Sequence, residues 1–127
     1  DNKKVQDLKR RVELINETAP ALAVSIHQNS YPSPDVSGAQ VFYYEHSKEG
    51  ERMATIVQKQ MENLEGTKNR PVKGNTTYYL LKRTEVPILI IECGFLSNQS
   101  EAQKLTEEEY QNSLVKVIAD GIEECLQ

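Results

Sequence analysis

The fold of this chain is decided by the stretch Pro87-Ile88-Leu89-Ile90-Ile91-Glu92-Cys93-Gly94. Its four consecutive aliphatic residues leave no face for solvent, which is typical of a strand buried on both sides in a parallel sheet. The run ends at Glu92, whose carboxyl group is costly to bury unless a cation or a hydrogen-bond donor meets it. We therefore expect Glu92 to be a functional group at the end of a buried strand.

A second apolar run ends in the same way. Residues 21–26, Ala-Leu-Ala-Val-Ser-Ile, predict another central strand, and His27 follows it directly. Ligands bind at the carboxyl ends of the strands in open α/β sheets, so two neighbouring strands would direct His27 and Glu92 into one site. For His27 taken alone, a hydrogen-bonded histidine without function is the alternative.

Helical and extended patterns alternate along the rest of the chain. Three segments carry apolar residues at helical spacing, namely 5–15, 53–64 and 114–126. Two further strands are predicted, over 39–44 and 78–81. Asn98 can cap a short helix over 99–105. The sequence therefore indicates a single α/β domain with a mostly parallel sheet and helices on both faces.

Composition excludes several classes of protein. The 15 Lys and Arg residues against 19 Asp and Glu give a net charge of -4, which creates no positive field for nucleic acid. No apolar run reaches the roughly 18 residues of a membrane span. Two cysteines, Cys93 and Cys125, are too few for a disulfide framework. A nucleotide-binding domain is disfavoured because the glycines form neither a Gly-x-Gly-x-x-Gly motif nor a phosphate loop.

His27 and Glu92 are the residue types of a metal-dependent hydrolase. Imidazole is a common zinc ligand, and a nearby unligated carboxylate can take the proton from metal-bound water. A catalytic zinc needs three protein ligands, however, and we expect the other histidine, His46, to be solvent-exposed. Cys93 should point away from Glu92, because successive strand residues alternate faces, and so should be packed rather than nucleophilic. These residues alone leave the site incomplete.

Two motifs give the sequence a family resemblance. The first joins Ser25-Ile26-His27-Gln28-Asn29 to Ser-Gly-Ala-Gln-Val-Phe-Tyr-Tyr at 37–44, and the second is Ile-Ile-Glu-Cys-Gly-Phe-Leu-Ser-Asn at 90–98. In order and spacing they resemble the zinc-dependent N-acetylmuramoyl-L-alanine amidases of bacterial cell walls, over nearly the whole chain. Residues 7–16 and 37–44 are most similar to the amidases that act on spore cortex.

The resemblance implies an amidase catalytic domain in which His27 is a zinc ligand and Glu92 the catalytic carboxylate. The implied substrate is peptidoglycan, cut between N-acetylmuramic acid and L-alanine. The implied location is extracytoplasmic, in the cell envelope, secreted, or in the spore compartment. Asn29, Tyr31 and Asn98 are candidate substrate-binding residues, although we expect Asn29 and Asn98 to shape loops rather than to touch substrate.

The sequence departs from the family pattern at its start. Family members carry a first strand with a Gly-His-Gly-Gly type motif and then a glutamate, and that histidine and glutamate complete the zinc site. No Gly-His pair occurs here. We therefore expect residues 1–127 to be the C-terminal portion of the family domain, poorly active alone and needing an N-terminal companion segment or a homo-oligomer at the open sheet edge. The alternative is a catalytically silent peptidoglycan-binding or regulatory module.

Overall fold

Helices and strands alternate along residues 2–127, the part of the chain that this computed structural model describes. In chain order the elements are α1 (Asn2–Thr18), β1 (Ala23–Asn29), β2 (Gln40–Tyr44), α2 (Lys48–Met61), β3 (Lys73–Asn75), α3 (Tyr79–Arg83), β4 (Ile88–Phe95), α4 (Gln99–Leu105) and α5 (Glu108–Cys125). The alternation confirms the predicted α/β class. No helix in residues 2–127 is both long and apolar enough to cross a bilayer.

The strands form one sheet in the order β1-β4-β2-β3. The β1–β4 and β2–β3 pairs are parallel, and the β2–β4 pair is antiparallel. β4 is buried along its whole length, as its aliphatic run predicts. The predicted mostly parallel sheet is therefore confirmed, with β4 in an interior position.

Two apolar clusters attach helices to opposite faces of this sheet. Helices α2 and α5 pack on the face that contains Ile91 and Cys93. Helices α1 and α3 pack on the other face, where Val12 and Leu81 share a cluster with Ile90. Because successive strand residues alternate faces, Glu92 lies on the same side of the sheet as α1 and α3.

The strand predicted over 78–81 is wrong, because this segment is helical. The side-chain oxygen of Asn75 accepts hydrogen bonds of 2.8 Å from the backbone N–H groups of both Thr77 and Tyr78. This turn leads directly into α3, which buries Leu80. The sequence does not predict the short strand β3, because Lys73, Gly74 and Asn75 form no apolar pattern and pair with β2 through backbone groups.

β1 occupies a different position from the one its sequence predicts. It was expected to be central, yet among the described elements it pairs only with β4 and lies at the edge of the sheet. Ile26 in this strand is 60% exposed. An apolar strand with an unpaired outer edge is an unusual surface for a folded protein.

Gln58 is a buried amide that connects α2 to the start of β2. Its Oε1 atom accepts a hydrogen bond from the Val41 N–H at 2.7 Å, and its Nε2 atom donates to the Ala39 carbonyl oxygen at 3.1 Å. The Nε2 atom also donates to Asn69 Oδ1 at 2.7 Å. Gln58 is therefore the partner of the buried Val41 N–H and a second donor to the Ala39 carbonyl oxygen, which also accepts from the Arg70 N–H at 3.2 Å.

We expect Gln58→Leu to lower the free energy of unfolding by about 1–3 kcal/mol, because it leaves the buried Val41 N–H without its partner and one such group costs about that much. Urea denaturation of this chain measures the effect. The matched control is Gln60→Leu, because the hydrogen bond from Gln60 to Glu124 is exposed, and its effect should stay within about 0.5 kcal/mol. Equal losses in the two variants would contradict the role given to Gln58.

Candidate active site

His27 and Glu92 face each other on neighbouring strands. Their Cα atoms are partners in the parallel β1–β4 ladder, and Gln40 of β2 is the partner of Glu92 on its other side. Residues directly opposite each other in a sheet project to the same face. The structure thus brings His27 and Glu92 together on neighbouring strands, as predicted, and adds Gln40 beside them. Neither residue ends its strand, however, because β1 continues to Asn29 and β4 to Phe95.

A pocket of about 160 Å³ surrounds this pair. Besides His27 and Glu92, it is lined by Leu8 of α1, by Ile90 of β4, and by Tyr78, Tyr79 and Leu80 at the start of α3. The two titratable groups therefore stand in a largely apolar recess between the sheet and two helices. Such surroundings strengthen electrostatic interactions, because they keep solvent away.

Glu92 is more deeply buried than His27. Its side chain is 7% exposed, and its Oε2 atom is buried with no hydrogen-bond partner among the described residues. Burial raises the pKa of the Glu92 carboxyl above its ordinary value, and the nearby His27 ring partly opposes this rise. A buried oxygen without a donor is costly. The arrangement suits a carboxylate that receives a proton from a group bound in the pocket.

The His27 ring is oriented by a neighbour on its own strand. Its Nε2 atom lies 2.6 Å from the Ser25 hydroxyl oxygen, which is two residues earlier and on the same face. Within the described chain, Nδ1 makes no hydrogen bond. The ring therefore keeps one nitrogen available for a ligand.

The described residues supply one side of a metal site rather than a complete one. Within 2–127, no group of three His, Cys, Asp or Glu side chains is placed to hold an ion. His46 is exposed, as expected, and packs edge-on against Tyr44 with ring centroids 5.2 Å apart, away from the pocket. One imidazole nitrogen and an unpartnered carboxylate oxygen fit a zinc ligand and a base for its water, but not the usual three-ligand set.

Asn29, Tyr31 and Asn98 lie outside the residues that line the pocket. The Asn29 side chain accepts a hydrogen bond from the following backbone amide, and Asn98 caps α4 while donating to the Pro34 carbonyl oxygen at 3.0 Å. The Tyr31 side chain is 54% exposed. Both asparagines thus shape loops, as expected, and a substrate contact by any of the three stays a prediction.

Tyr78 is a pocket residue that the sequence pattern does not reveal, because that pattern predicts a strand over 78–81. Its ring meets Phe42 edge-on, with centroids 5.7 Å apart. Burial, and then the charge of Glu92, raise the pKa of Tyr78 above its ordinary value. Its hydroxyl therefore remains a donor at neutral pH. The only sequence signal for its position is the Asn75 turn that starts α3.

Cys93 is packed, as predicted, and is not part of the pocket. It is 2% exposed and belongs to the cluster beneath α2 and α5. Burial, reinforced by Glu92, raises the pKa of the Cys93 thiol to about 12. A thiol with so high a pKa is not a nucleophile at neutral pH.

Known proteins share both this fold and this sequence pattern. The sequence profile described as N-acetylmuramoyl-L-alanine amidase matches residues 1–124. A germination-specific N-acetylmuramoyl-L-alanine amidase of Bacillus subtilis is 42% identical over 121 residues, which are 94% of this chain and 51% of that protein. The chain therefore spans about half the length of this curated relative.

Two solved structures extend the likeness to three dimensions. The CwlD amidase from Clostridioides difficile, solved in complex with the GerS lipoprotein, superposes with a TM-score of 0.93 at 36% identity, covering 98% of this chain and 64% of that one. An N-acetylmuramoyl-L-alanine amidase from Clostridium difficile 630 gives a TM-score of 0.89 at 30% identity, covering 94% of this chain and 64% of that one.

Proposed function

This chain belongs to the N-acetylmuramoyl-L-alanine amidase family, and on that basis we propose that it carries the catalytic carboxylate of an enzyme that hydrolyses the amide bond between N-acetylmuramic acid and L-alanine in peptidoglycan. The observation that carries the proposal is the buried, unpartnered oxygen of Glu92 opposite His27 in one pocket. A carboxylate in that state is suited to act as a general base.

His27 is proposed to be one zinc ligand, through the ring nitrogen that Ser25 leaves free. Zinc, when bound, lowers the pKa of its water to about 7 and polarises a carbonyl group. The remaining ligands would come from outside residues 2–127, which agrees with a chain that spans 51% of its Bacillus subtilis relative.

Glu92 is proposed to move the proton in both halves of the reaction. It accepts a proton from the attacking water, whose oxygen bonds to the carbonyl carbon of the lactyl group. It then delivers that proton to the nitrogen of L-alanine as the carbon–nitrogen bond breaks, which leaves a free amine and a carboxylic acid, and the acid loses its remaining proton to solvent at neutral pH. Burial raises the pKa of Glu92 towards neutral pH, and a general base is most effective when its pKa is near the working pH.

The proposed partner is therefore peptidoglycan, and the proposed place of action lies outside the cytoplasm. The germination-specific relative makes the spore one such place. The narrow, apolar pocket would admit the amide bond rather than whole sugar rings, with Tyr78 donating a hydrogen bond at its wall.

The proposal is tested by comparing this chain with a hybrid amidase, in which the chain replaces the 121 matching residues of the Bacillus subtilis relative. We expect the hybrid to release free amines from purified peptidoglycan with zinc present. The chain alone should release few, because a catalytic zinc loses affinity when ligands are missing.

Each outcome of this comparison has a distinct meaning. Strong turnover by the chain alone would contradict the incomplete site. A hybrid that binds peptidoglycan and zinc but cleaves nothing would overturn the proposed activity and favour the catalytically silent module.

A further inference from the structure

Glu101 is a buried carboxylate that lies outside the pocket. It is 6% exposed and lies in the first turn of α4. Within residues 2–127 it has no ion pair; instead its Oε1 atom accepts hydrogen bonds of 2.9 Å from the backbone N–H groups of Gly38 and Phe95. Burying a carboxylate without a cation is expensive. The burial of Glu101 therefore needs an explanation other than helix formation, and its two backbone partners supply one.

The first partner, Phe95, belongs to the strand that carries Glu92. After the His27–Glu92 pair, the next pair in the β1–β4 ladder is Asn29–Phe95, so β4 contains one residue more than β1 at this point. Such a bulge interrupts the regular ladder and redirects the strand, and it leaves a backbone group in need of a partner. The Glu101 carboxylate holds the Phe95 amide directly beyond the bulge.

The second partner, Gly38, ends the loop over 30–38, which follows the strand that carries His27. Its φ angle is +115°, and a Cβ atom there would lie 2.8 Å from the Lys68 carbonyl oxygen, so this position requires glycine. The hydrogen bond from the Gly38 N–H to Glu101 therefore holds a backbone conformation that only glycine can adopt.

The same loop is attached to the segment 97–101 at two further points. The Tyr31 N–H donates to the Ser97 hydroxyl at 2.9 Å, and the Asn98 side chain donates to the Pro34 carbonyl oxygen at 3.0 Å. The start, middle and end of the loop are thus held by one short segment. Within that segment, Glu101 is the residue whose side chain also binds β4, at the Phe95 N–H.

We propose that Glu101 is a positioning residue: a single carboxylate oxygen ties the strand of Glu92 to the loop that follows His27, so that the two groups keep a fixed separation. Glu101 touches neither the substrate nor the reacting atoms. The inference rests on the proposed roles of His27 and Glu92, and it explains why a buried acid without a cation binds β4 three residues beyond Glu92.

The activity test uses the hybrid amidase. We expect Glu101→Ala to lower kcat by about 100-fold, the cost of a misplacement near 1 Å, with KM within about threefold because Glu101 does not touch the substrate. Glu101→Gln keeps an oxygen that can accept both N–H groups, and it should restore kcat to within about threefold. Glu108→Ala, which removes an exposed acid from the first turn of α5, controls for the helix dipole and should leave kcat unchanged.

The second test needs no activity and uses this chain alone. Hydrogen–deuterium exchange should be faster at the Gly38 and Phe95 amides in Glu101→Ala, normal in Glu108→Ala, and restored in Glu101→Gln. Unchanged exchange at both amides would overturn the proposal, as would an unchanged kcat per folded molecule. Failure of Glu101→Gln to rescue kcat would also overturn it. If the unsubstituted hybrid is inactive, the proposed function fails separately, and the exchange result still decides whether Glu101 holds these two amides.

Discussion

Substitution of Glu92 by glutamine is expected to reduce kcat of the hybrid amidase by about 100- to 10,000-fold, the usual contribution of a general base. Glutamine has nearly the same size and still fills the pocket, so binding of peptidoglycan should change little. The effect therefore appears in kcat rather than in KM. Release of free amines from purified peptidoglycan at saturating substrate measures it.

The same substitution should make the isolated chain more stable at neutral pH. Because burial raises the pKa of Glu92 above its unfolded value, its stabilising contribution is present below about pH 4.5 and is lost as the pH rises through the folded-state pKa. Glutamine carries no charge to bury. Glu92→Gln should therefore exceed the parent in free energy of unfolding at neutral pH, and the advantage should disappear below pH 4.5.

An exposed acid provides the matched control. Glu123→Gln should change neither kcat nor the pH dependence of stability, because Glu123 lies on the solvent side of α5. A Glu92→Gln hybrid that keeps more than about a tenth of the parent kcat would rule out Glu92 as the base, since even a modest general base contributes about 100-fold.

Removal of the His27 ring is expected to have the second large effect. In the hybrid, His27→Ala should weaken zinc binding by more than about 100-fold, because loss of even an outer partner of a ligand costs about 10- to 100-fold. Amide cleavage should fall with the bound zinc. Competition with a chromophoric chelator measures the affinity, and zinc content after dialysis measures occupancy.

His46 offers the control for this experiment, since it is the same residue type in an exposed position. His46→Ala should leave both zinc binding and cleavage unchanged. Equal zinc loss in the two variants would show a nonspecific effect of removing imidazole. Full zinc binding by His27→Ala would exclude His27 as a ligand.

The strands that carry His27 and Glu92 could be predicted, because the apolar residues that bury each strand are consecutive in the sequence. An aliphatic run that ends in Glu92, and another that ends in His27, each carry their own signal of burial followed by a polar group. Their adjacency is also consistent with that pattern. The β1–β4 ladder is interrupted after the His27–Glu92 pair, and this interruption depends on hydrogen bonds between distant segments. No local sequence pattern therefore predicts it.

The rest of the site could not be read from the sequence, for physical reasons. Aromatic and aliphatic residues at 78–81 have a strand preference, and a single side-chain turn at Asn75 overrides it. The position of Tyr78 in the pocket follows only from that turn. The role of Glu101 is equally hard to predict from the sequence. Its partners are two backbone amides, and every residue except proline has such a group, so no residue type marks them.

A crystal structure of the zinc-loaded hybrid, with anomalous diffraction recorded at the zinc edge, tests most directly whether His27 and Glu92 share one metal centre. We expect a zinc peak about 2.0–2.1 Å from a His27 ring nitrogen, with a bound water about 2.6–3.2 Å from the Glu92 carboxyl. A zinc ion that His27 does not bind, or one whose water lies beyond hydrogen-bonding reach of Glu92, would contradict this expectation.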